Sequence, residues 1–312
     1  MARRCMIATL GPAAQHLDAT LSYQQGVERM IAFWKRQIDP VLPTQPDLIV
    51  IPEASDRYSN LTADKRREYY RVRKEQVRDF WCETARENHC YIAYSAAREL
   101  PDGSWRNSTQ IIDRQGQIAG IYNKNHLVVE EYTGFGILNG KDAPVITTDF
   151  GSVGCAICFD LNFEPIRKQY MASRPDLILF SSMYHGGLMQ ATWAYSCQAH
   201  FVGAICNNEC AIINPIGQKI AASTNYFPFT SALVNLDCRV VHLDYNWEKL
   251  RALKRKYRRD VIINDPGQLG CVLVSSEHDA LSVMDMIREF AIETWDDYYA
   301  RALTHQNEHR EP

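Results

Sequence analysis

Gly151-Ser-Val-Gly-Cys-Ala-Ile-Cys158-Phe-Asp160-Leu-Asn162-Phe-Glu164-Pro165 is the stretch whose reading decides the fold. An apolar run stops there at one thiol and turns polar at once. Val153 to Phe159 reads as a buried strand, and Asp160, Asn162 and Glu164-Pro165 read as a turn and the start of a helix continuing through Ile166, Tyr170 and Met171. Such an elbow holds Cys158 at the carboxyl end of a sheet. Free N–H groups of the helix's first turn there favour a thiolate and can receive a developing oxyanion. Two other readings stand beside it. Cysteine is among the most buried residue types, so Cys158 can be packing alone. Cys155 and Cys158 also make a Cys-x-x-Cys spacing that fits a redox or zinc site. Against that, residues three apart on a strand face opposite sides, and no second Cys/His pair lies at finger-like spacing.

Around this stretch the chain alternates strand-like and helix-like segments, the mark of an α/β fold. Leu21 to Ile38 carries a helical apolar face, and Asp47 to Ile51 is a buried strand ending at Pro52-Glu53. A carboxylate just past a core strand sits where α/β sheets place ligand groups, although a turn carboxylate looks the same. Lys65 to Glu87 reads as one long amphipathic helix and Cys90 to Ala97 as a strand. Asn107 to Asp113 and Gln117 to Tyr122 read as a hairpin through Arg114-Gln-Gly116, so the sheet is expected to be mixed.

Lys124 ends that hairpin, with His126, Glu130 and Glu131 close behind; a lysine there supplies a fixed charge that carboxylates can orient. Taken alone, Lys124 fits a surface lysine and His126 a structural histidine. Tyr184-His185-Gly186-Gly187 follows the Leu177 to Ser182 strand and shares the rim of Cys158 if the strands are parallel, so it is a candidate substrate loop, with a plain turn the other reading. Cys206 to Ile213 and Ala232 to Leu236 read as strands, Ser282 to Tyr299 as one helix, and His305 to Pro312 as a frayed polar tail.

Composition narrows the function classes. A net charge of -3, with 46% hydrophobic and 23% charged residues, leaves no footprint of nucleic-acid or membrane binding. The basic runs at 65 to 78 and 251 to 259 interleave with Glu, Tyr or Leu, as solvated helix faces do. No run of about 18 apolar residues suggests a membrane span. Cys5 to Leu10, ending at Gly11-Pro12, is too short for a signal sequence and fits a first strand. The ten cysteines lack a small secreted scaffold and read as reduced thiols, hence a cytoplasmic location. With no Gly/Ser-rich linker, residues 1–312 read as a single domain.

Pro52-Glu53 after a strand, Tyr122-Asn-Lys124-Asn-His-Leu127 before an acidic pair, and Gly154-Cys-Ala-Ile-Cys158-Phe-Asp160 occur in the order and approximate spacing of the nitrilase (carbon-nitrogen hydrolase) superfamily. Pro175-Asp-Leu-Ile-Leu-Phe-Ser-Ser182, Trp193 and Asn214-Pro-Ile-Gly217 extend the resemblance to about residue 240. It implies a four-layer α-β-β-α sandwich and, by motif position, Glu53 as general base, Lys124 as oxyanion stabiliser and Cys158 as nucleophile. A second glutamate often follows the lysine in that family, and Glu131 matches it better than Glu130. No cofactor or metal is implied. The stretch from about 240 to 312 is similar to the extensions through which the family associates, so a homodimer or larger homo-oligomer is expected.

The chemistry needs these residue types together. A thiol of ordinary pKa near about 8.5 is mostly protonated at neutral pH, so a carboxylate must take its proton and later pass it to the departing amine. Departures from the family pattern leave the substrate open. The chain has Asn162-Phe163-Glu164-Pro165 where many relatives show Arg-Phe-Pro-Glu, and Ser196-Cys-Gln-Ala-His200 where they often show Arg-Ala-x-Glu-Asn. Phe159-Asp160 resembles the amidase and carbamoylase branches, whereas nitrile-acting members usually carry Trp-Glu. The expectation is hydrolysis of a small-molecule amide or ureido (N-carbamoyl) substrate, with Phe159, Asp160, Tyr184 and His185 facing it. Nitrile hydrolysis, amidotransfer, a silent binding protein and a thiol-redox protein are the alternatives.

Overall fold

Apolar strands alternating with amphipathic helices build two six-stranded sheets in the computed structural model, which describes residues 1–311. The chain divides into a unit at Cys5–Leu233 and a second unit made of Met1–Arg4 and the chain from Val234 onwards. The first sheet is entered through β1 (Arg4–Leu10), α1 (Tyr23–Ile38), β2 (Leu48–Val50), α2 (Ala63–Arg73), α3 (Gln76–Asn88), β3 (Tyr91–Glu99), β4 (Trp105–Ile112), β5 (Ile118–Asn123) and α4 (Val129–Phe135). The second follows with β6 (Ile146–Thr147), β7 (Ser152–Ile157), α5 (Glu164–Ser173), β8 (Leu177–Ser182), α6 (Leu188–Cys197), β9 (His200–Ile205), β10 (Ala211–Ile213) and β11 (Lys219–Ala222), before β12 (Phe229–Asn235) returns to the edge of the first.

The first sheet runs β12-β1-β2-β3-β4-β5 and the second β11-β10-β9-β8-β7-β6. Parallel strands β1-β2-β3 and β7-β8-β9 form the middles; antiparallel β4 and β5 extend the first sheet beyond β3, antiparallel β10 and β11 extend the second beyond β9, and β6 pairs antiparallel with β7. The period of two divides each parallel strand between two faces. Ala8, Leu10, Ile49, Ile51, Ile92 and Tyr94 pack with Trp34 of α1 and Trp81 of α3. From the opposite face Thr9 Oγ1 donates to Gly203 O (2.9 Å), and Ser181 Oγ donates across to Ile51 O (2.8 Å), tying the two sheets together. Tyr170 of α5 and Trp193 of α6 pack behind the second sheet. The layers are therefore α-β-β-α, the expected sandwich.

Several boundaries differ from the sequence reading. Lys65 to Glu87 is two helices, because Lys74 takes φ +45° and breaks the ladder between α2 and α3. Nor is the 65 to 78 run only a solvated face. Arg73 is buried, with Nη1 2.5 Å from Asp56 Oδ2 and Nη2 donating to Ala97 O. β9 falls on a stretch with no strand assignment, and the expected strand from Cys206 starts only at Ala211 after a turn.

The other unit has its own antiparallel sheet, β13 (Cys238–His242), β14 (Val261–Asn264) and β15 (Cys271–Ser276), with β15 central. Helix α7 (Trp247–Tyr257) contributes Leu250 and Leu253 to a core shared with Val241, Val272 and Met286. The expected helix over Ser282 to Tyr299 is again two, α8 (Val283–Glu289) and α9 (Trp295–Glu308). Ala291 is left-handed between them, and Thr294 restarts the helix by accepting from Asp297 N. α9 thus takes in the first half of the expected tail, His305 to Glu308; Pro312 lies outside the described residues. Among the described residues no helix is long and apolar enough to cross a membrane.

Candidate active site

Three chain segments converge from strand ends. β7 stops at Ile157, one residue earlier than the nucleophile candidate, and Cys158 opens a tight helical turn (Cys158–Asn162) with φ +50°. A side-chain-bearing residue in that region costs on the order of 1 kcal/mol and persists only where its surroundings hold it. Asp160 is the holder. Its Oδ2 accepts from Ile157 N (3.0 Å) and Tyr122 Oη (2.6 Å), and its Oδ1 accepts from His126 N (2.8 Å) with His126 Nδ1 at 3.0 Å. Behind the elbow a Cβ on Gly154 would lie 2.6 Å from the Tyr170 ring, whose hydroxyl bonds Cys155 N and O. Only glycine lets that ring lie flat against β7.

Lys124, the residue after β5, is 1% exposed, and its ammonium donates to Glu53 Oε1 (2.9 Å) and Glu131 Oε2 (2.7 Å). Two of its three protons are thus committed and one remains. Glu53, past the end of β2, also accepts from Asn107 Nδ2 at Oε1 (2.8 Å) and from Met183 N at Oε2 (3.1 Å). Asn107 Nδ2 bonds Glu131 Oε1 as well, again at 2.8 Å. Glu131 rather than the exposed Glu130 joins the cluster, fixed by Val128 N on Oε2.

Burial, followed by the Glu53 charge, pushes the Cys158 thiol pKa up to about 12 against the pull of Lys124. Burial also opposes the Lys124 charge, but Glu53 and Glu131 outweigh it and hold its pKa above the usual lysine range. The resting cluster is therefore a thiol, carboxylates and one ammonium. A thiol in that setting reacts when a base takes its proton during attack.

The rim residues divide. Phe159 is 38% exposed and lies edge-on to Phe163, on which the His126 ring stacks at 3.9 Å. Tyr184 Oη bonds Asn162 Oδ1 (3.2 Å); burial and then the field of Cys158 are among the causes that raise its pKa. His185 sits further out, its Nδ1 accepting from Gly187 N. Asp160 does not face a substrate: it is fully buried and its carboxylate is spent on four protein donors. Asn107 and Met183 were missed by sequence reasoning. An asparagine inside a hairpin strand and a backbone amide carry no distinguishing pattern.

Cys155 is fully buried with its thiol pKa pushed up to about 12 by burial, and neither it nor Cys158 is in a disulfide. Among the described residues no group of three His, Cys, Asp or Glu side chains is arranged to hold a metal.

Residues 13–253 match the family model described as carbon-nitrogen hydrolase. The chain is similar to the probable nitrilase C965.09 of Schizosaccharomyces pombe, 32% identical over 76 residues, 24% of this chain and 27% of that protein, so just over a quarter of that relative's length is matched. Among solved structures it is similar to Saccharomyces cerevisiae Nit3, a member of branch 10 of the nitrilase superfamily, with TM-score 0.63 and 16% identity over 82% of this chain and 94% of that one. An amidase from Nesterenkonia sp. is superimposed with TM-score 0.62 and 15% identity over 81% of this chain and 96% of the other. At these identities the likeness is one of fold.

Proposed function

This chain belongs to the carbon-nitrogen hydrolase family, and from that premise we propose that it hydrolyses the C–N bond of a small amide or N-carbamoyl compound through a covalent intermediate on Cys158. The observation that carries the reading is the placing of Glu53: one oxygen on the Lys124 ammonium at 2.9 Å and the other on the Met183 backbone N–H at 3.1 Å, with the charges of Glu53 and Lys124 both acting on the Cys158 thiol. Base and cation are in direct contact, and both act on the nucleophile.

In this mechanism Cys158 Sγ attacks the carbonyl carbon as its proton passes to Glu53. The carbonyl oxygen becomes an oxyanion, stabilised by the free proton of Lys124 and the Phe159 backbone N–H; each such donor is worth about 3 kcal/mol. Collapse breaks the C–N bond, Glu53 returns its proton to the nitrogen, and ammonia or an amine leaves an acyl or carbamoyl thioester. Water then attacks, Glu53 takes its proton, and the second collapse frees the acid and the protonated thiol. Glu131 and Asn107 are positioning residues that hold Lys124 and Glu53 at fixed distance.

Likeness to the Nesterenkonia amidase and the Phe159-Asp160 pair favour amides and ureido compounds over nitriles. An ammonia-release screen over small amides, ureido acids and nitriles tests the choice: turnover of the first two supports it, and turnover of nitriles alone overturns it. The proposal includes a homo-oligomer, which the exposed Tyr245, Trp247 and Tyr299 of the second unit favour; light scattering at micromolar concentration decides it.

A further inference from the structure

Glu53 opens a loop whose shape is imposed on it. Ala54, the next residue, takes φ +50°, a region that a residue with a side chain occupies only where its surroundings hold it there. Ser55 donates through its N–H and its hydroxyl to Ser95 O, both at 3.0 Å, and its own carbonyl accepts from Trp34 Nε1 (2.8 Å). Asp56 follows, fully buried. Its Oδ2 accepts from Tyr94 Oη (2.6 Å) and Arg73 Nη1 (2.5 Å).

Arg73 is the last residue of α2, and the break at Lys74 lets it turn inward, where it is 4% exposed. All three nitrogens of its guanidinium donate, Nε to Lys74 O (3.0 Å), Nη1 to Asp56 and Nη2 to Ala97 O (2.9 Å). Ala97 of β3 pairs in register with Asn107 of β4, and Asn107 Nδ2 donates to Glu53 Oε1 at 2.8 Å. The contacts therefore close a ring. It runs from Glu53 along its loop to Asp56, through the guanidinium to β3, across the strand pair to Asn107 and back to the Glu53 carboxylate.

One side of that ring is a buried ion pair, and such a pair contributes little net stability because desolvation offsets the attraction. What a guanidinium adds over an ammonium is a rigid fork that holds two acceptors at a fixed angle. Here the two acceptors are the loop that carries the base and the strand that backs Asn107. We propose that Arg73 is a positioning residue: with Asp56 it sets the Glu53 carboxylate against Asn107 and Lys124, in the place from which it takes the proton of Cys158. The inference rests on the hydrolase reading above for the role of Glu53. It assigns the inward-facing residue of α2 to catalysis without contact with substrate.

Turnover and thiol reactivity test this separately. Arg73→Lys keeps the charge and loses the fork; kcat for a turned-over amide falls about 100-fold, the scale of a misplacement of about 1 Å, with KM changed less than about twofold. Alkylation of Cys158 by a neutral maleimide at neutral pH reads the carboxylate without turnover. The charge of Glu53 raises the thiol pKa, so a displaced Glu53 makes Cys158 react faster, while peptide mapping finds the fully buried Cys155 unlabelled. The double variant Asp56→Asn/Arg73→Met removes both charges together, which keeps the denaturation midpoint near that of wild type, and shows the same fall in kcat and the same faster alkylation. Wild-type kcat in either folded variant, or a fall in kcat with alkylation unchanged or slower, overturns the positioning role. So does failure of both variants to fold, which makes Arg73 a stability residue. If the wild-type protein releases ammonia from no amide or ureido compound, the hydrolase reading fails instead, and the alkylation rates still decide whether Arg73 sets Glu53.

Discussion

The carboxylate of Asp160 accepts the backbone N–H of His126 at 2.8 Å, so the turn that carries the nucleophile also holds the loop that carries the lysine. Its other oxygen ties down Ile157 N and the Tyr122 hydroxyl, on either side of the same junction. One buried anion therefore sets the distance between two segments that are not neighbours in sequence.

Replacing Asp160 by Asn keeps the shape but turns an NH2 group toward donors that need an acceptor. The expected loss is about 2–4 kcal/mol of stability, the scale of unsatisfied buried groups, together with a fall in kcat. Tyr122→Phe removes a single donor and costs about 1 kcal/mol. Denaturant melts of both variants check the order; equal stability of Asp160→Asn and wild type would show that the junction is held by something else.

Asn107 keeps Glu53 and Glu131 at equal 2.8 Å distances from one NH2 group. Asn107→Asp replaces that donor with a third carboxylate, so protons are held more tightly in the cluster and the acid limb of the kcat/KM profile moves to higher pH. A fall in kcat of about 100-fold accompanies it, as for the loss of a group that orients catalytic residues. A profile that drops in height with no change of shape would assign Asn107 to packing alone.

With its pKa pushed up to about 12 by burial and Glu53, the Cys158 thiol is protonated throughout the neutral range. Alkylation of Cys158 by a neutral maleimide should rise with pH, without a plateau, up to about pH 11. Lys124→Met removes the one cation that lowers this pKa and should slow the reaction further at every pH. A plateau near pH 7 would mean a preformed thiolate.

Buried groups also bound the stability. Burial pushes His200 down from 6.5 to about 4, so the unfolded chain takes up a proton first and stability is lost as pH falls through that window. At the other end Cys90, Cys197 and Cys210 are raised by burial from 9.0 to about 11, so the unfolded chain ionises first and stability is lost as pH rises above 9.0. Melting temperature should be flat between pH 6.5 and 9 and fall on both sides. His200→Gln flattens the acid limb, and an unchanged limb in that variant would place the acid sensitivity elsewhere.

The layers were legible from the alternation of strands and helices, and the convergence because Glu53, Lys124 and Cys158 each follow an apolar strand; Glu131, on α4, was indicated by the family resemblance. What escaped has physical causes. The amphipathic spacing of α2 continues through Lys74 into α3, and only a backbone dihedral separates them. Charge in a sequence does not tell a solvated arginine from one turned inward, which is why Arg73 was read as surface. Asp160 looked like a rim residue because an acid after a nucleophile can face either way; the donors that claim it come from 34 and 38 residues away in the chain.

The central claim is covalent chemistry at one sulfur. A short pulse of a turned-over amide, quenched in acid and examined by peptide mass spectrometry, should add the acyl mass to the peptide containing Cys158, and Cys158→Ala should show no adduct and no ammonia. Ammonia release at the wild-type rate from Cys158→Ala, or an adduct on another residue, would contradict the account.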